Sequence, residues 1–283
     1  VVEKQQRFFE YLFKVLRNYK YLAQDGEAFK VAKIPADYNL ESLQEKLEGK
    51  YGNFDFELLL LGRCASELSG VLRGEVDPVQ LVFANDQWDA IIRYYSESHS
   101  FKKYNELMQI SVEKLIEKLP EEQTLRVLEI GAGTGGVTQA ILPIFPQNRT
   151  EYYYTDLSSG FLAKAQKRFG KYPFVQYQSL DIEKDVEAQG INPHSFDLVI
   201  ASDVLHATSN IVDVLNRVKK ILAPQGVLLM LEVIHNPIYF DLIFGMTEGV
   251  WIFEDTDLRP DHAIMDAASW KKALTEAKFD NFL

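Results

Sequence analysis

A glycine-rich stretch, Leu125–Gly136 with the sequence LRVLEIGAGTGG, has residue types and spacing that indicate a binding site. Gly131, Gly133 and Gly136 allow a tight turn and a close approach to a ligand, because no Cβ intervenes. The amides at the start of the following helix would point at that ligand. Glu129 precedes the first glycine by two residues. A carboxylate there suits a cationic ligand better than a pyrophosphate.

The same G-x-G-x-x-G pattern occurs in dinucleotide-binding proteins, so the glycines alone do not identify the ligand. Glu129 favours S-adenosylmethionine (SAM), because SAM carries an ammonium and a sulfonium group. We therefore predict SAM as the cofactor, with Glu129, Gly131 and Gly133 among its contacts.

Asp156 ends the next apolar segment and lies 25 residues after Gly131. A carboxylate at this place in a nucleotide-binding fold accepts hydrogen bonds from two ribose hydroxyls. The alternative is a helix N-cap, since Asp156 and Ser158 both precede a predicted helix. We favour the ribose role for Asp156 and include the neighbouring Leu157 among the cofactor contacts.

Asp181, in the segment SLDIEKD after the following strand, is placed to accept from an adenine amino group. Ile182 would then pack on the adenine ring. A solvated turn aspartate before a helix explains Asp181 almost equally well when this segment is viewed alone.

His206 and Glu232 come from the ends of two successive strands and are predicted to meet. A carboxylate that accepts from one imidazole nitrogen fixes the tautomer and raises the basicity of the other nitrogen. This arrangement is typical of an oriented general base. The alternative is a buried structural pair, because Glu232 interrupts the apolar run LLMLEV. No metal site is predicted, since the remaining histidines are scattered: His99, His194, His235 and His262.

Alternating strand and helix patterns from residue 125 onward predict an α/β fold with a parallel sheet covered on both faces. Ligands bind at the carboxyl ends of the strands in this class of fold. The predicted strands lie at about 125–130, 151–156, 173–178, 196–201 and 226–233. The predicted helices lie at about 136–144, 159–169, 183–188, 209–222 and 269–278.

Residues 1–120 are predicted to be helical, without strands, because their apolar residues recur at helical spacing. Long apolar helices are expected at Phe54–Leu72 and Phe101–Leu119. Helices without a sheet of their own suggest a lid subdomain laid over the α/β core. The predicted domains are therefore a helical lid at 1–120 and a cofactor-binding core at 121–283.

The composition excludes several classes of function. The 283 residues carry a net charge of −11 and no basic stripe, which argues against nucleic acid as a partner. No apolar run reaches the about 18 residues that span a bilayer, so no membrane partner is expected. The single cysteine, Cys64, indicates a reducing compartment, the cytoplasm. The first residue is not Met, so we expect a piece excised from a longer chain.

Several segments together resemble the C-methyltransferase domains of polyketide synthases, over roughly residues 55–280. The glycine loop is common to Rossmann-like class I methyltransferases, whereas LHAT and WIFEDTDLRPDH are more specific. The matching segments are LEIGAGTGG, YTDLS, ASDVLHAT, the strand of Glu232 and EGVWIFEDTDLRPDHAIMDAASWKKAL. The resemblance extends upstream to LLGRCASELSGVLRGEVDPVQLVF and SFKKYNELM.

The resemblance implies methylation of the α-carbon of a β-ketoacyl thioester on the phosphopantetheine arm of an acyl carrier protein, among neighbouring synthase domains. It also implies that His206 removes the α-proton and that Glu232 orients it. Tyr94 resembles a tyrosine that reaches the site from the lid, although Tyr95 leaves that register open by one. Ser202 resembles a loop residue that contacts the methionine part of SAM. Asp203 stands where the family pattern would have Asn.

Three alternatives remain open at this stage. O- or N-methylation would use the same base, because an imidazole serves other nucleophiles equally well. A catalytically silent scaffold domain is disfavoured by the intact His206, Glu232 and glycine loop. A nicotinamide-dependent reductase is suggested by the glycine pattern alone.

Overall fold

The computed structural model describes residues 1–26, 28–35, 40–51, 55–83, 88–120 and 122–280. The strands in these ranges are β1 (Leu22–Asp25), β2 (Ala28–Val31), β3 (Leu125–Ile130), β4 (Thr150–Asp156), β5 (Val175–Ser179), β6 (Phe196–Ser202) and β7 (Leu222–Leu231). The helices before β3 are α1 (Gln6–Asn18), α2 (Leu40–Tyr51), α3 (Asp55–Arg73), α4 (Pro78–Phe83), α5 (Trp88–Glu97) and α6 (His99–Lys118). The later helices are α7 (Gly136–Ile141), α8 (Ser159–Phe169), α9 (Ile211–Ile221), α10 (Ile238–Ile243) and α11 (Ala267–Glu276).

Tertiary contacts divide the chain into two compact units, and neither is continuous in sequence. The first unit comprises residues 1–88 and 237–251, and the second comprises residues 89–236 and 252–283. This division differs from the boundary expected at residue 120. The reason is that α6 carries Met108 and Val112, which are buried in the same apolar cluster as β3 and β4.

The first unit joins its two sequence segments through aromatic packing. The ring of Phe8, on α1, lies 5.9 Å from the ring of Trp251, and the ring of Tyr11 lies 5.4 Å from it. The side-chain amide of Gln5 donates to the main-chain oxygen of Met246. Residues 237–251, which follow β7, therefore belong to the unit that contains the N-terminal helix.

The expectation that residues 1–120 contain no strands is wrong. β1 and β2 form a two-stranded antiparallel hairpin in which Leu22 pairs with Val31 and Asp25 pairs with Ala28. Gly26 adopts a φ of 64° at the turn, a conformation that glycine reaches without steric cost. Both strands are four residues long and almost wholly exposed, so they carry no buried alternation that a sequence pattern could reveal.

The second unit contains a parallel sheet of five strands in the order β5-β4-β3-β6-β7. This confirms the predicted α/β fold of the Rossmann-like class. β3 is a nearly continuous apolar run with burial on both faces, as expected for a strand inside a parallel sheet. The strand order reverses at β3, which pairs with β4 on one side and β6 on the other. The loops after β3 and β6 therefore flank the switch point, where such folds bind ligands.

Apolar clusters cover both faces of this sheet. On one face, α9 buries Ile211, Val214, Leu215 and Val218, which share one side of the helix. The other face packs against side chains of α6, α7 and α8. The two layers fix the carboxyl ends of the five strands at one edge.

Element boundaries differ from the predictions at two places. β7 begins at Leu222, before Pro224 and Gly226, whereas the predicted strand begins at about residue 226. The register of β6 and β7 shifts between Phe196 and Leu198, and this irregularity accommodates the proline. The helix expected near 183–188 is only a short 3-10 turn, Glu187–Gln189.

No helix of the described ranges is long and apolar enough to cross a membrane. Cys64 is a free thiol buried within α3, and burial raises its pKa to about 11. A thiol with this pKa remains protonated near neutral pH, which favours a packing role for Cys64 over a nucleophilic one.

Candidate active site

The glycine loop lies directly against the loop that follows β6. Gly131 and Gly133 both have a φ of 57°, in the left-handed region. A Cβ on Gly131 would lie 2.2 Å from Cγ2 of Val204, so only glycine permits this contact. A Cβ on Gly133 would meet only the main-chain oxygen of Gly131, at 3.7 Å. The space beside Gly133 is therefore open, and the contacts of Gly131 and Gly133 with SAM stay predictions.

Glu129 is buried beneath this loop and is held by two hydroxyl groups. Its Oε2 accepts from Oγ1 of Thr138 and from the phenol of Tyr152, each at 2.6 Å. Burial raises the pKa of Glu129 to about 7, although the two hydrogen bonds lower it. The direct contact with SAM stays a prediction. Thr138 and Tyr152 do not lie at strand ends, so their positions in the sequence do not mark them as site residues.

Asp156 accepts two backbone hydrogen bonds at the end of β4. Its Oδ2 accepts from the amide of Gly133 at 2.9 Å, and its Oδ1 accepts from the amide of Ser158 at 2.7 Å. The N-cap of α8 is Ser158, whose hydroxyl accepts from the amide of Phe161. Ser158, and not Asp156, is therefore the N-cap residue of α8. The ribose contact of Asp156 stays a prediction, as does that of Leu157, which is 67% exposed.

The two residues assigned to adenine have other contacts in the structure. Asp181 forms an ion pair with Lys184 at 2.9 Å and accepts from the amide of Glu183. Ile182 is buried in the apolar cluster on the α9 face of the sheet. Their adenine contacts stay predictions. Ser202, the last residue of β6, is partly exposed at the strand edge, and its contact with SAM also stays a prediction.

The expected contact between His206 and Glu232 is present. Nδ1 of His206 lies 2.7 Å from Oε2 of Glu232, and the two side chains are 7% and 2% exposed. The other oxygen of Glu232 accepts from the amides of Val204 and Leu205, at 3.1 and 2.8 Å. Glu232 thus fixes both the imidazole and the backbone turn before it. Because a carboxylate only accepts, Nδ1 carries the proton and Nε2 is the basic nitrogen.

Asp203 is a second carboxylate beside the imidazole. Its Oδ1 lies 3.8 Å from Nδ1 of His206, and its side chain is 8% exposed. Burial raises the pKa of Asp203 to about 6, while the positive charge of His206 lowers it. Asp203 has a φ of 54°, a conformation that Asp and Asn tolerate better than most residues.

Asp203, His206 and Glu232 place their potential ligand atoms within 4.8 Å of one another. The linear spacing of these residues did not indicate this grouping. In the tautomer inferred above, Nδ1 of His206 donates to Glu232 and therefore offers no lone pair to a metal ion. The geometry therefore fits an oriented imidazole better than a metal site.

Opposing effects set the pKa of His206. Burial alone would lower it, but the charge and hydrogen bond of Glu232 and the charge of Asp203 outweigh this, and Arg259 lowers it in turn. The pKa of His206 is raised to about 9. The neutral imidazole, which is the form that acts as a base, therefore increases as the pH rises towards 9.

Tyr94 and Tyr95 differ in their surroundings on α5. Tyr94 is 1% exposed, and its ring lies 5.0 Å from that of Tyr95. Burial and the charge of Asp203 raise the pKa of Tyr95 well above its ordinary value. A Cβ on Gly136 would lie 2.7 Å from the main-chain oxygen of Tyr95, so this glycine lets α5 approach the loop after β3. The role of Tyr94 stays a prediction, and the sequence left Tyr95 unassigned.

Comparisons with known proteins agree with this architecture. Residues 128–228 match a family model described as a methyltransferase domain. The structure of the CurJ carbon methyltransferase superposes with a TM-score of 0.95 at 42% identity, covering 99% of this chain and 74% of that one. The C-methyltransferase domain of the citrinin polyketide synthase superposes with a TM-score of 0.90 at 31% identity, with the same two coverages.

A sequence relative places the match within a much larger protein. The non-reducing polyketide synthase pks11 of Talaromyces marneffei is 34% identical over 282 residues, which are 98% of this chain. The match covers 11% of that synthase, so the chain spans about a tenth of the relative's length.

Proposed function

Because the chain belongs to the carbon-methyltransferase domains of polyketide synthases, we propose that it methylates the α-carbon of a β-ketoacyl thioester on an acyl carrier protein. The chain is a SAM-dependent methyltransferase. One observation above all supports the proposed reaction, namely the 2.7 Å hydrogen bond that orients His206 through Glu232 at a strand end.

The loops at the carboxyl ends of β3 and β4 are suited to hold the cofactor. The amide of Gly133, in the loop after β3, donates to the carboxylate of Asp156 at the end of β4. The two loops are therefore adjacent. Each oxygen of Asp156 keeps a further lone pair that can accept a ribose hydroxyl. When bound, SAM supplies an electrophilic methyl group and leaves as S-adenosylhomocysteine.

His206 is the proposed base. The hydrogen between a ketone and a thioester is acidic enough for an oriented neutral imidazole to remove it. The proton moves to Nε2 of His206, while Nδ1 keeps its proton and its bond to Glu232. The electron pair of the broken C–H bond remains on the substrate and forms the new bond from the α-carbon to the methyl carbon. The resulting imidazolium is stabilised by Glu232 and Asp203.

A phenol near the base would stabilise the negative charge that develops on the substrate carbonyl. Tyr94 is the residue that the family resemblance assigns to this task. Tyr95 is a competing candidate, because the charge of Asp203, which lies beside His206, contributes to the raised pKa of Tyr95. Tyr94→Phe and Tyr95→Phe separate the two, since only the donor's variant should lose turnover.

We place this activity within a larger synthase, where neighbouring domains build and consume the carrier-bound chain. The sequence relative supports this setting, because the matched part is a small share of a polyketide synthase. The acyl carrier protein is the proposed partner, and the cytoplasm is the proposed compartment.

The decisive experiment incubates the protein with SAM and a β-ketoacyl carrier protein, followed by mass spectrometry of the released acyl group. A methyl group on the α-carbon is the expected product. A methyl ether on the enol oxygen would assign O-methylation instead. Bound SAM without any product from several β-ketoacyl chains would indicate a silent scaffold domain.

A further inference from the structure

Arg259 is a buried cation that the proposed chemistry does not use. Its side chain is 0% exposed and lies in the segment between α10 and α11. A buried charge is costly unless it is paired and hydrogen-bonded. The guanidinium must therefore be held by partners that the fold provides.

Three of these partners are backbone carbonyls of the loop that carries the base. Nη1 of Arg259 donates to the main-chain oxygen of His206 at 2.7 Å. Nη2 donates to the main-chain oxygens of Thr208 and Ser209, at 2.8 and 3.0 Å. The loop contains only a short 3-10 turn, Leu205–Ala207, so these carbonyls have no helical donors of their own.

Asp255 fixes the guanidinium from the opposite side. Its Oδ1 accepts from Nε of Arg259, and its Oδ2 accepts from the amide of Ile211, the first residue of α9. The amide of Glu254 also donates to the main-chain oxygen of Ser209. The segment 254–259 therefore ties the loop from His206 to Ile211 at several points.

We propose that Arg259 is a positioning residue for His206: it clamps the loop carbonyls and holds the imidazole at the place where it removes the substrate proton. The proposal rests on the general-base role given to His206 above. Arg259 does not contact the imidazole through this clamp, so it acts on the reaction only through His206.

The charge of Arg259 gives the clamp a second, measurable effect. Glu232 and Asp203 raise the pKa of His206, and Arg259 lowers it. A guanidinium stays charged throughout the accessible pH range, so this effect is constant. Further titratable groups near this cluster are Tyr95, through its interaction with Asp203, Asp255, which pairs with Arg259, and Glu183, which accepts from the amide of Ser209. An arginine too remote to act on the imidazole would leave the titration of His206 unchanged.

The test uses Arg259→Lys and Arg259→Gln, with Arg149→Lys as the matched control. Arg149 also donates to two backbone carbonyls, those of Pro120 and Gln123, and is remote from His206 in sequence. We expect kcat to fall about 100-fold in both Arg259 variants, the cost of a base displaced by about an ångström. The Kd for SAM should stay within about twofold of wild type.

The titration of the His206 ring is followed by NMR in the protein without substrate. Arg259→Gln should raise the pKa of His206, because a neighbouring positive charge is lost, and Arg259→Lys should raise it less. This readout does not depend on turnover. If wild type fails to methylate the substrate but the titration shifts as expected, the proposed function fails, while the effect of Arg259 on the protonation of His206 stands.

Several outcomes would overturn the proposal. Unchanged kcat in either folded Arg259 variant would do so, and so would an unchanged His206 titration in folded Arg259→Gln. A fall in kcat in Arg149→Lys as large as that in Arg259→Lys would also overturn it. If neither Arg259 variant folds, Asp255→Asn decides, since it keeps the guanidinium but removes its anionic partner. Wild-type kcat in that variant would then reject the clamp.

Discussion

At the scale of single residues, the site is an imidazole with two carboxylates and one guanidinium around it. Glu232 hydrogen-bonds to Nδ1 of His206, Asp203 lies 3.8 Å from the same nitrogen, and Arg259 binds the main-chain oxygen. Two negative groups and one positive group therefore tune one base. This balance explains how a buried histidine remains strongly basic although burial alone would lower its pKa.

His206→Ala is expected to lower methyl transfer by about 10²- to 10⁴-fold, the usual contribution of a general base. SAM binding should be retained, because His206 is not among the proposed cofactor contacts. Glu232→Gln should also slow transfer, and it should lower the pKa of His206 by removing the charge that raises it. Single-turnover kinetics and calorimetry measure these effects. Wild-type turnover in His206→Ala would remove the proposed base.

Asp203→Asn should move the acidic limb of the rate–pH profile to lower pH. Asp203 is charged above its pKa of about 6 and raises the pKa of His206, so losing its charge increases the neutral imidazole at neutral pH. Asn tolerates the same backbone conformation. Asp197→Asn, at the opposite end of β6, is the matched control and should leave the profile unchanged. A shift to higher pH in Asp203→Asn would contradict this account.

At the scale of elements, the close approach of α5 to the loop after β3 depends on Gly136. In Gly136→Ala the new Cβ would lie 2.7 Å from the main-chain oxygen of Tyr95, and backbone must move to relieve the clash. We expect a loss of about 1–3 kcal/mol in the free energy of unfolding. Asn105, which donates to the same oxygen, should lose that hydrogen bond.

The matched control for Gly136→Ala is Gly160→Ala in the first turn of α8. There the nearest atom to a new Cβ is the hydroxyl oxygen of Ser158, at the ordinary contact distance of 3.5 Å. Alanine favours the helix over glycine by up to about 1 kcal/mol, so this variant should be neutral or stabilised. Thermal unfolding measures both variants. Equal free energies of unfolding for Gly136→Ala and Gly160→Ala would show that α5 does not restrict the space at residue 136.

The elements also show what the sequence could and could not predict. The parallel sheet was predictable because strand and helix patterns alternate from residue 125 onward. The contact between His206 and Glu232 was predictable because parallel strands end at one edge of the sheet, which brings these two residues together. The hairpin of β1 and β2 was not predictable, since it buries almost nothing.

Other site residues were not predictable because they act across distant contacts. Thr138 and Tyr152 reach Glu129 from a helix and from the middle of a strand, where no strand-end rule applies. Arg259 lies within a segment that carried the family resemblance, but neither spacing nor composition shows that its charge is buried. A motif can identify the segment, while only the fold shows which carbonyls its arginine binds.

At the scale of the whole molecule, each of the two units is assembled from separate parts of the sequence. Residues 237–251 leave the second unit after β7 and pack with the N-terminal helix. The segment 89–120 belongs to the unit of the sheet. The lid role expected for residues 1–120 stays a prediction. That lid would include only part of the range, because α6 packs on one face of the sheet.

This assembly predicts different behaviour for two fragments of the chain. A fragment of residues 89–283 keeps α6, whereas one of residues 121–283 loses it and exposes the cluster that Met108 and Val112 cover. Each large apolar side chain removed from such a cluster is worth about 1.5–3 kcal/mol of stability. The shorter fragment should therefore unfold at lower urea concentration and bind more of a hydrophobic dye. Both fragments contain residues 237–251 without their N-terminal partners, so that defect is matched and cancels in the comparison. Equal urea midpoints would instead place the boundary of the second unit at residue 120.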